Sequence, residues 1–158
     1  MPGVRVDVKG ASDISKRITN VVNGLVDRMA LHKVLGQALL REIDRQFRTE
    51  GAHFGRGWQR LKPETVKRRR GGSSRILQDT GRHLKQTFAV DATRASVRVG
   101  TATMFAPVHQ FGSSKTKGPG SGIPARPMLP AGNALVRLAE ERLIPLAEQH
   151  VRKILEGR

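Results

Sequence analysis

Thr87-Phe-Ala-Val-Asp91 and Ala95-Ser-Val-Arg-Val-Gly100 decide the fold class of this 158-residue chain. Apolar and polar residues alternate in both runs, and a short polar connection joins them, the pattern of an antiparallel hairpin with one face buried. Upstream, helical spacing replaces alternation. Ile14, Ile18, Val21, Leu25 and Met29 recur at three- and four-residue steps behind Ser12, whose hydroxyl can cap a helix start. Leu35, Leu39, Ile43 and Phe47 continue at four-residue steps, and a slip of phase near Ala30 to Lys33 predicts two helices with a break between them. Further out, Val4, Val6 and Val8 alternate with charged residues and predict a short first strand that Gly10 ends. Ile76 to Phe88 reads as a short helix leading into the hairpin. On the other side, Leu135, Leu138, Leu143, Leu146, Val151, Ile154 and Leu155 predict a C-terminal helical region over about 132–157. Pro145 kinks or divides it, because proline lacks an N–H and collides with the preceding turn. The expectation is an α+β fold, a small antiparallel β-sheet with amphipathic helices packed on it, in one domain over 1–158.

Two stretches interrupt these patterns. Residues 51–74 hold Gly51, Gly55, Gly57, Pro63, Gly71, Gly72 and the run Lys67-Arg-Arg-Arg70, which predicts a long basic loop with one helical turn after Pro63. Residues 113–122, Ser-Ser-Lys-Thr-Lys-Gly-Pro-Gly-Ser-Gly, have no apolar surface to offset their ordering entropy and read as a flexible loop. The chain carries 29 Lys and Arg against 13 Asp and Glu, a formal charge of +16, so its partners are of opposite sign: nucleic acid, an anionic membrane or an acidic protein surface. With no cysteine there is no disulfide framework and no thiolate metal site. The N-terminus lacks the apolar run of a signal peptide, and no segment approaches the roughly 20 apolar residues of a membrane helix, so the expectation is a cytoplasmic origin with no membrane partner.

Residue chemistry gives little support to catalysis. No histidine pair sits three to five residues apart and no HExxH occurs, so neither a metal nor another cofactor is expected. Glu42, Asp44, Glu140 and Glu141 lie on amphipathic helices, where such acids mark a solvated face. His109 is the best single catalytic candidate, yet no nucleophile or acid stands near it; its plainer reading is a buried or interface histidine bonded to backbone at the end of a strand. Gly71-Gly72 and Gly118 to Gly122 match no phosphate-binding pattern. Lys67, Arg68, Arg69 and Arg70, with Arg56, Arg60, Arg75 and Arg82 nearby and Lys115 and Lys117 in the second loop, can neutralise DNA phosphates without reading sequence, or form a solvated charge cluster. The sparse aromatic residues do not interleave with this run as a stacking platform would. Trp58, the only tryptophan, is a core anchor or an interface hot spot. Arg126, held extended between Pro124 and Pro127, pairs with an acid such as Glu42 or Glu140 of a neighbouring subunit, or with an acid of its own chain.

The order of motifs across the central half of the chain resembles the phage virion morphogenesis family, which includes tail completion proteins of Mu-like phages. The matching residues are Gly57-Trp58 with Leu61 and Thr65, Ile76-Leu77 with Thr80-Gly81 and Leu84, and Val97-Arg-Val-Gly100. Ala106, His109-Gln-Phe-Gly112 and Ile123-Pro-Ala-Arg-Pro127 follow, and the last two blocks are the specific part. Phe105 stands where tyrosine is common, and Met128-Leu129-Pro130 where Phe-Leu-Gly is frequent. The resemblance implies a non-catalytic virion protein, assembled in the bacterial cytoplasm as a ring, commonly a hexamer, that completes the head–tail junction. It implies partners in the connector or adaptor, in the tail tube or terminator, and in packaged double-stranded DNA bound without sequence preference. On that reading Lys67, Arg68, Arg69, Arg70, Arg75, Lys115 and Lys117 are candidates to line the DNA channel. Trp58, Thr80, Gly81, His109, Gln110, Phe111, Gly112, Pro124, Arg126 and Pro127 are candidates for subunit interfaces or for holding the motif together. Two alternatives stay open: a non-specific double-stranded DNA-binding protein on the same basic loops, and a small basic toxin-type ribonuclease using His109 with Arg126.

Overall fold

A computed structural model describes residues 11–79, 84–114 and 122–156. Helix α1 (Ala11–Val26) meets helix α2 (Arg28–Arg48) at Asp27, whose carboxylate accepts a hydrogen bond from Met29 N at 3.2 Å and caps α2. The break predicted between the two helices therefore exists but falls a few residues earlier than the phase slip implied, because a capping carboxylate stands at Asp27 and none stands at 30–33. The predicted strand at Val4 to Val8 lies outside the described residues.

Strands β1 (Ala89–Ala92) and β2 (Val97–Gly100) pair antiparallel in the register Ala89↔Gly100 and Ala92↔Val97. Thr93 closes the connection, its N–H donating to Ser96 O at 2.8 Å and its hydroxyl accepting from Ser96 N at 3.0 Å. The hairpin packs on α2 at Gly36, where a Cβ would run into the Val90 side chain. Small size at that position sets how close sheet and helix come. His32 Nδ1 donates to Thr93 O at 2.7 Å and ties the far end of the hairpin to the same helix.

The core lies under the C-terminal half of α2. Ile43 and Phe47 are buried there against Trp58, Ile76, Leu84, Phe88, Ala106 and Met128, which come mostly from loops. The Phe47 ring meets the Trp58 and Phe88 rings edge-on, at centroid distances of 5.4 and 6.1 Å. After α2, Gly51 adopts φ +98°, and a Cβ there would strike the Trp58 ring, so glycine is what lets the chain turn back and lay Trp58 on the core. One short helix, α3 (Pro63–Lys67), interrupts the basic loop with proline in its first turn.

The segment before the hairpin corrects the expected helix. Ile76 N donates to Glu50 Oε1 at 2.9 Å, Gln78 Nε2 donates to Phe47 O at 2.8 Å, and Leu77 sits at φ +57°, so this stretch is pinned as an irregular turn. A single 3₁₀ turn at Lys85–Thr87 leads into β1. Beyond β2, α4 (Ala106–Phe111) carries the His-Gln-Phe motif. In the C-terminal region α5 (Asn133–Leu138) runs through a π turn (Ala139–Leu143) into α6 (Ile144–Leu155). Pro145 lies in the first turn of α6, and the wider π turn before it makes room for the proline ring and for the carbonyl that proline, lacking an N–H, leaves without a donor. α1 packs on α6 through Gly24, where a Cβ would come within 2.7 Å of the Ile154 side chain.

Candidate functional site

His109-Gln-Phe-Gly112 and Ile123-Pro-Ala-Arg-Pro127 lie side by side, joined through their backbones. His109 O accepts from Arg126 N at 2.6 Å, and Ser113 N donates to Ile123 O at 2.9 Å. Gly112 makes the approach possible: it has φ +78°, and a Cβ there would stand 2.9 Å from Ala125 N and 3.0 Å from Ile123 O. The Gln110 amide reaches past Pro127, accepting from Met128 N at 2.8 Å and Leu129 N at 3.1 Å while donating to Leu129 O at 3.3 Å. Pro127 O receives two side-chain donors, Trp58 Nε1 at 3.0 Å and Gln46 Nε2 at 2.8 Å. Gln46 also accepts from Phe54 N at 2.9 Å, so one α2 side chain joins both long loops to the core. Trp58, Gln110, Gly112, Arg126 and Pro127 thus form a clamp, held together by hydrogen bonds from within the chain.

Sequence reasoning missed Gln46. Its signal was the spacing: it sits three residues after Ile43, on the apolar side of α2, where a polar residue is kept only if it finds partners. Glu42 belongs to the same correction. It is buried, not solvated, with its carboxylate 2.6 Å from His53 Nε2 and 3.5 Å from Arg45.

Two further readings change. His109 stands within α4 and not at a strand end, and its Nδ1 is buried without a hydrogen-bond partner among the described residues. Burial, and secondarily the Arg126 charge, hold its pKa below the ordinary value of 6.5. Arg126 is only 7 % exposed, yet no acid of its own chain pairs with it among the described residues; its Nε and one terminal nitrogen donate to Gln59 O at 3.3 and 3.2 Å. Its pKa is lowered first by burial and then by the nearby Arg69 charge.

Arg126 of the clamp, with His109, Ile123 and Pro124 of the two motif segments, lines one side of a cleft of about 860 Å³. Leu61, Leu77, Leu84, Phe105, Ile123 and Pro124 give it apolar lining, and Arg60, Lys62, Arg69 and Arg126 give it positive charge against one acid, Asp79. His109 and Arg126 do share a cavity.

The basic run is not uniform. Lys67, Arg68 and Arg75 are exposed. Arg69 is half-buried and holds its own loop, donating to the carbonyls of Ser73 and Arg75 and lying 3.9 Å from Asp79. It is a poor candidate for free phosphate contact. The Arg70 side chain, Thr80, Gly81, Arg82, Lys115 and Lys117 are outside what the structure describes. Phe111, by contrast, points away from the clamp and is 79 % exposed, beside a chain stretch that also exposes Met104 and Phe105.

Among the described residues no group of three or more His, Asp or Glu side chains is placed to hold a metal ion, and no helix is long and apolar enough to cross a membrane. In comparisons with known proteins, the model of the phage virion morphogenesis family matches residues 7–152. No curated protein and no solved structure matches.

Proposed function

The chain belongs to the phage virion morphogenesis family, and from that premise we propose that it completes the phage tail as a ring of like subunits at the head–tail neck through which DNA passes. Family membership makes it a protein of phage particle morphogenesis, associated with the particle. The neck position, the ring and the absence of catalysis belong to the proposal. The observation that carries it is the division of labour among the motif residues. Trp58 and Gln110 give their polar atoms, and Arg126 gives Nε and one terminal nitrogen, to backbone groups, so these residues serve first to build a rigid protomer. Apolar side chains such as Phe111, Met104, Ile18 and Val22 stay exposed, as surfaces of an assembling subunit do.

The charge supports a position near DNA or near acidic partners. Chains at +16 repel one another in a ring, and only nucleic acid or acidic neighbours offset that cost. Lys67, Arg68 and Arg75 are the described exposed cations best placed to contact phosphate. The ribonuclease reading has His109 and Arg126 in one cleft in its favour, but Arg126 is bonded to Gln59 O, and no carboxylate among the described residues is bonded to His109 as a partner base. RNA incubated with the purified protein is expected to stay intact.

Removal of the coding sequence from the phage tests the proposal. Electron microscopy of the lysate should show filled heads and finished tails that remain separate. Joined but non-infectious particles, or a lysate without filled heads, would place the protein at another step.

A further inference from the structure

Arg126 presents an imbalance. A guanidinium taken out of water costs several kcal/mol by order of magnitude unless a counter-charge accompanies it, and here the charge that acts on it, Arg69, is another cation. Its bonds to Gln59 O use Nε and one terminal nitrogen, which leaves further donors of the five-donor fork at the cleft wall. Lys62, Arg60 and Arg69 add positive charge around it. A cleft of this composition calls for a carboxylate carried on an apolar surface. A DNA duplex is the poorer fit, because the recessed Arg126 lies among leucines and Ile123, and phosphates bind cations that project.

The same chain holds the complementary surface. Acids are scarce, and several described ones are engaged: Glu42 with His53, Asp44 with Arg48 and Lys85, Glu50 with Ile76 N. Glu64, Asp91, Glu148 and Glu156 are exposed without a partner among the described residues, but none of them has a second acid beside it in sequence. Glu140 and Glu141 are exposed and have no partner among the described residues. They sit on the π turn of the C-terminal arm, flanked by Leu135, Val136 and Ile144, which are 46, 55 and 51 % exposed. Residues 56–75 carry eight cations against one acid, whereas residues 133–156 carry four of each, so the arm brings no net charge of its own against the cleft. No residue of α1, α2, α5 or α6 lines the cleft.

We infer that the cleft beside Arg126 receives the Glu140-Glu141 arm of a second copy of this chain. The contact is head-to-tail, with a different surface on each partner, and repetition of such a contact closes into a ring when the rotation permits. Leu135, Val136 and Ile144 enter against the apolar lining, and the two carboxylates neutralise Arg126, Arg69 and the rim cations Arg60 and Lys62. This rests on the self-assembly proposed above and assigns its interface. It also removes Glu42 as a partner of Arg126, since that carboxylate is buried on His53.

Charge reversal of the full chain tests the contact without touching Arg126, whose loss would loosen the clamp. One variant carries Arg60→Glu with Lys62→Glu, the other Glu140→Lys with Glu141→Lys. All four positions are exposed, so circular dichroism and thermal unfolding should match those of the parent chain. By light scattering after size exclusion, the parent chain should be an oligomer and each variant alone a monomer. Mixed in equal amounts, the two variants should reassemble, because each then offers the charge that the other's surface lacks. An oligomer that both variants keep would overturn the contact while leaving the ring itself standing. So would a mixture that stays monomeric. A parent chain that is monomeric at every concentration would overturn the contact too, whereas the neck assignment stands or falls on head–tail joining. Loss of duplex DNA binding in the cleft variant, with assembly unchanged, would make the cleft a phosphate surface instead.

Discussion

The loop clamp and the outer helical arm contain similar residue types and use them in opposite ways. In the clamp, Trp58, Gln110, Arg126 and Gln46 are buried or half-buried and bonded to backbone from distant parts of the chain. On the arm and on α1, Ile18, Val22, Leu135, Val136 and Ile144 are exposed, and Glu140 and Glu141 have no partner among the described residues. The difference teaches that most of the motif's polar side chains are spent on joining distant loops of one protomer, while the arm and α1 keep apolar and acidic side chains free at the surface.

The largest effect that can break this contrast is expected at Trp58. Trp58→Ala removes the edge contact with Phe47 and a donor to Pro127 O, and should cost about 3–5 kcal/mol in urea unfolding. The pair Val136→Ser with Ile144→Ser should shift the unfolding curve of the dissociated monomer by only about 0.5 kcal/mol, since both side chains are exposed in the single chain. Equal losses would erase the distinction between the two regions. Gln110→Ala comes next, at about 1–3 kcal/mol, because Met128 N and Leu129 N lose their acceptor inside the clamp.

A smaller effect concerns pH. The His109 pKa is lowered on folding, so the unfolded chain takes up a proton first as pH falls. The stability that His109 contributes is complete above the unfolded value of 6.5 and is lost as pH falls from there through the folded value. Between pH 7.5 and 5 the parent chain should therefore lose more stability than His109→Gln, measured by urea midpoints. Parallel curves would show that the imidazole is not held neutral by the clamp.

The smallest stability effect is expected on the basic loop, where it divides the run. Lys67→Gln, Arg68→Gln and Arg75→Gln together should change unfolding by about 0.5 kcal/mol or less, and should flatten the salt dependence of duplex binding by about 0.9 in slope for each phosphate no longer neutralised. Arg69→Gln should instead lower stability, since its guanidinium holds Ser73 O and Arg75 O.

The regular elements were legible because periodicity reports one buried face: the hairpin and the helical stretches follow from alternation and from three- and four-residue steps. The helix break was displaced because a local cap at Asp27 outweighed the apolar phase. What sequence could not supply was the pairing of distant loops. His109 looked like a strand end because nothing local reveals that residues 106–111 coil while their carbonyl at 109 joins Arg126. Glu42 read as solvated because its partner His53 lies beyond the helix end, on a loop whose return depends on Gly51. Arg126 was recognisable as special from its proline neighbours, but a carbonyl acceptor such as Gln59 O leaves no mark in a sequence.

The most direct test is to locate the chain within assembled particles, using gold-labelled antibody against it and electron microscopy. Label confined to the head–tail junction, one cluster per particle, is the predicted result. Label along the tail shaft, or spread over the capsid, would contradict a neck ring and return the protein to another structural position in the particle.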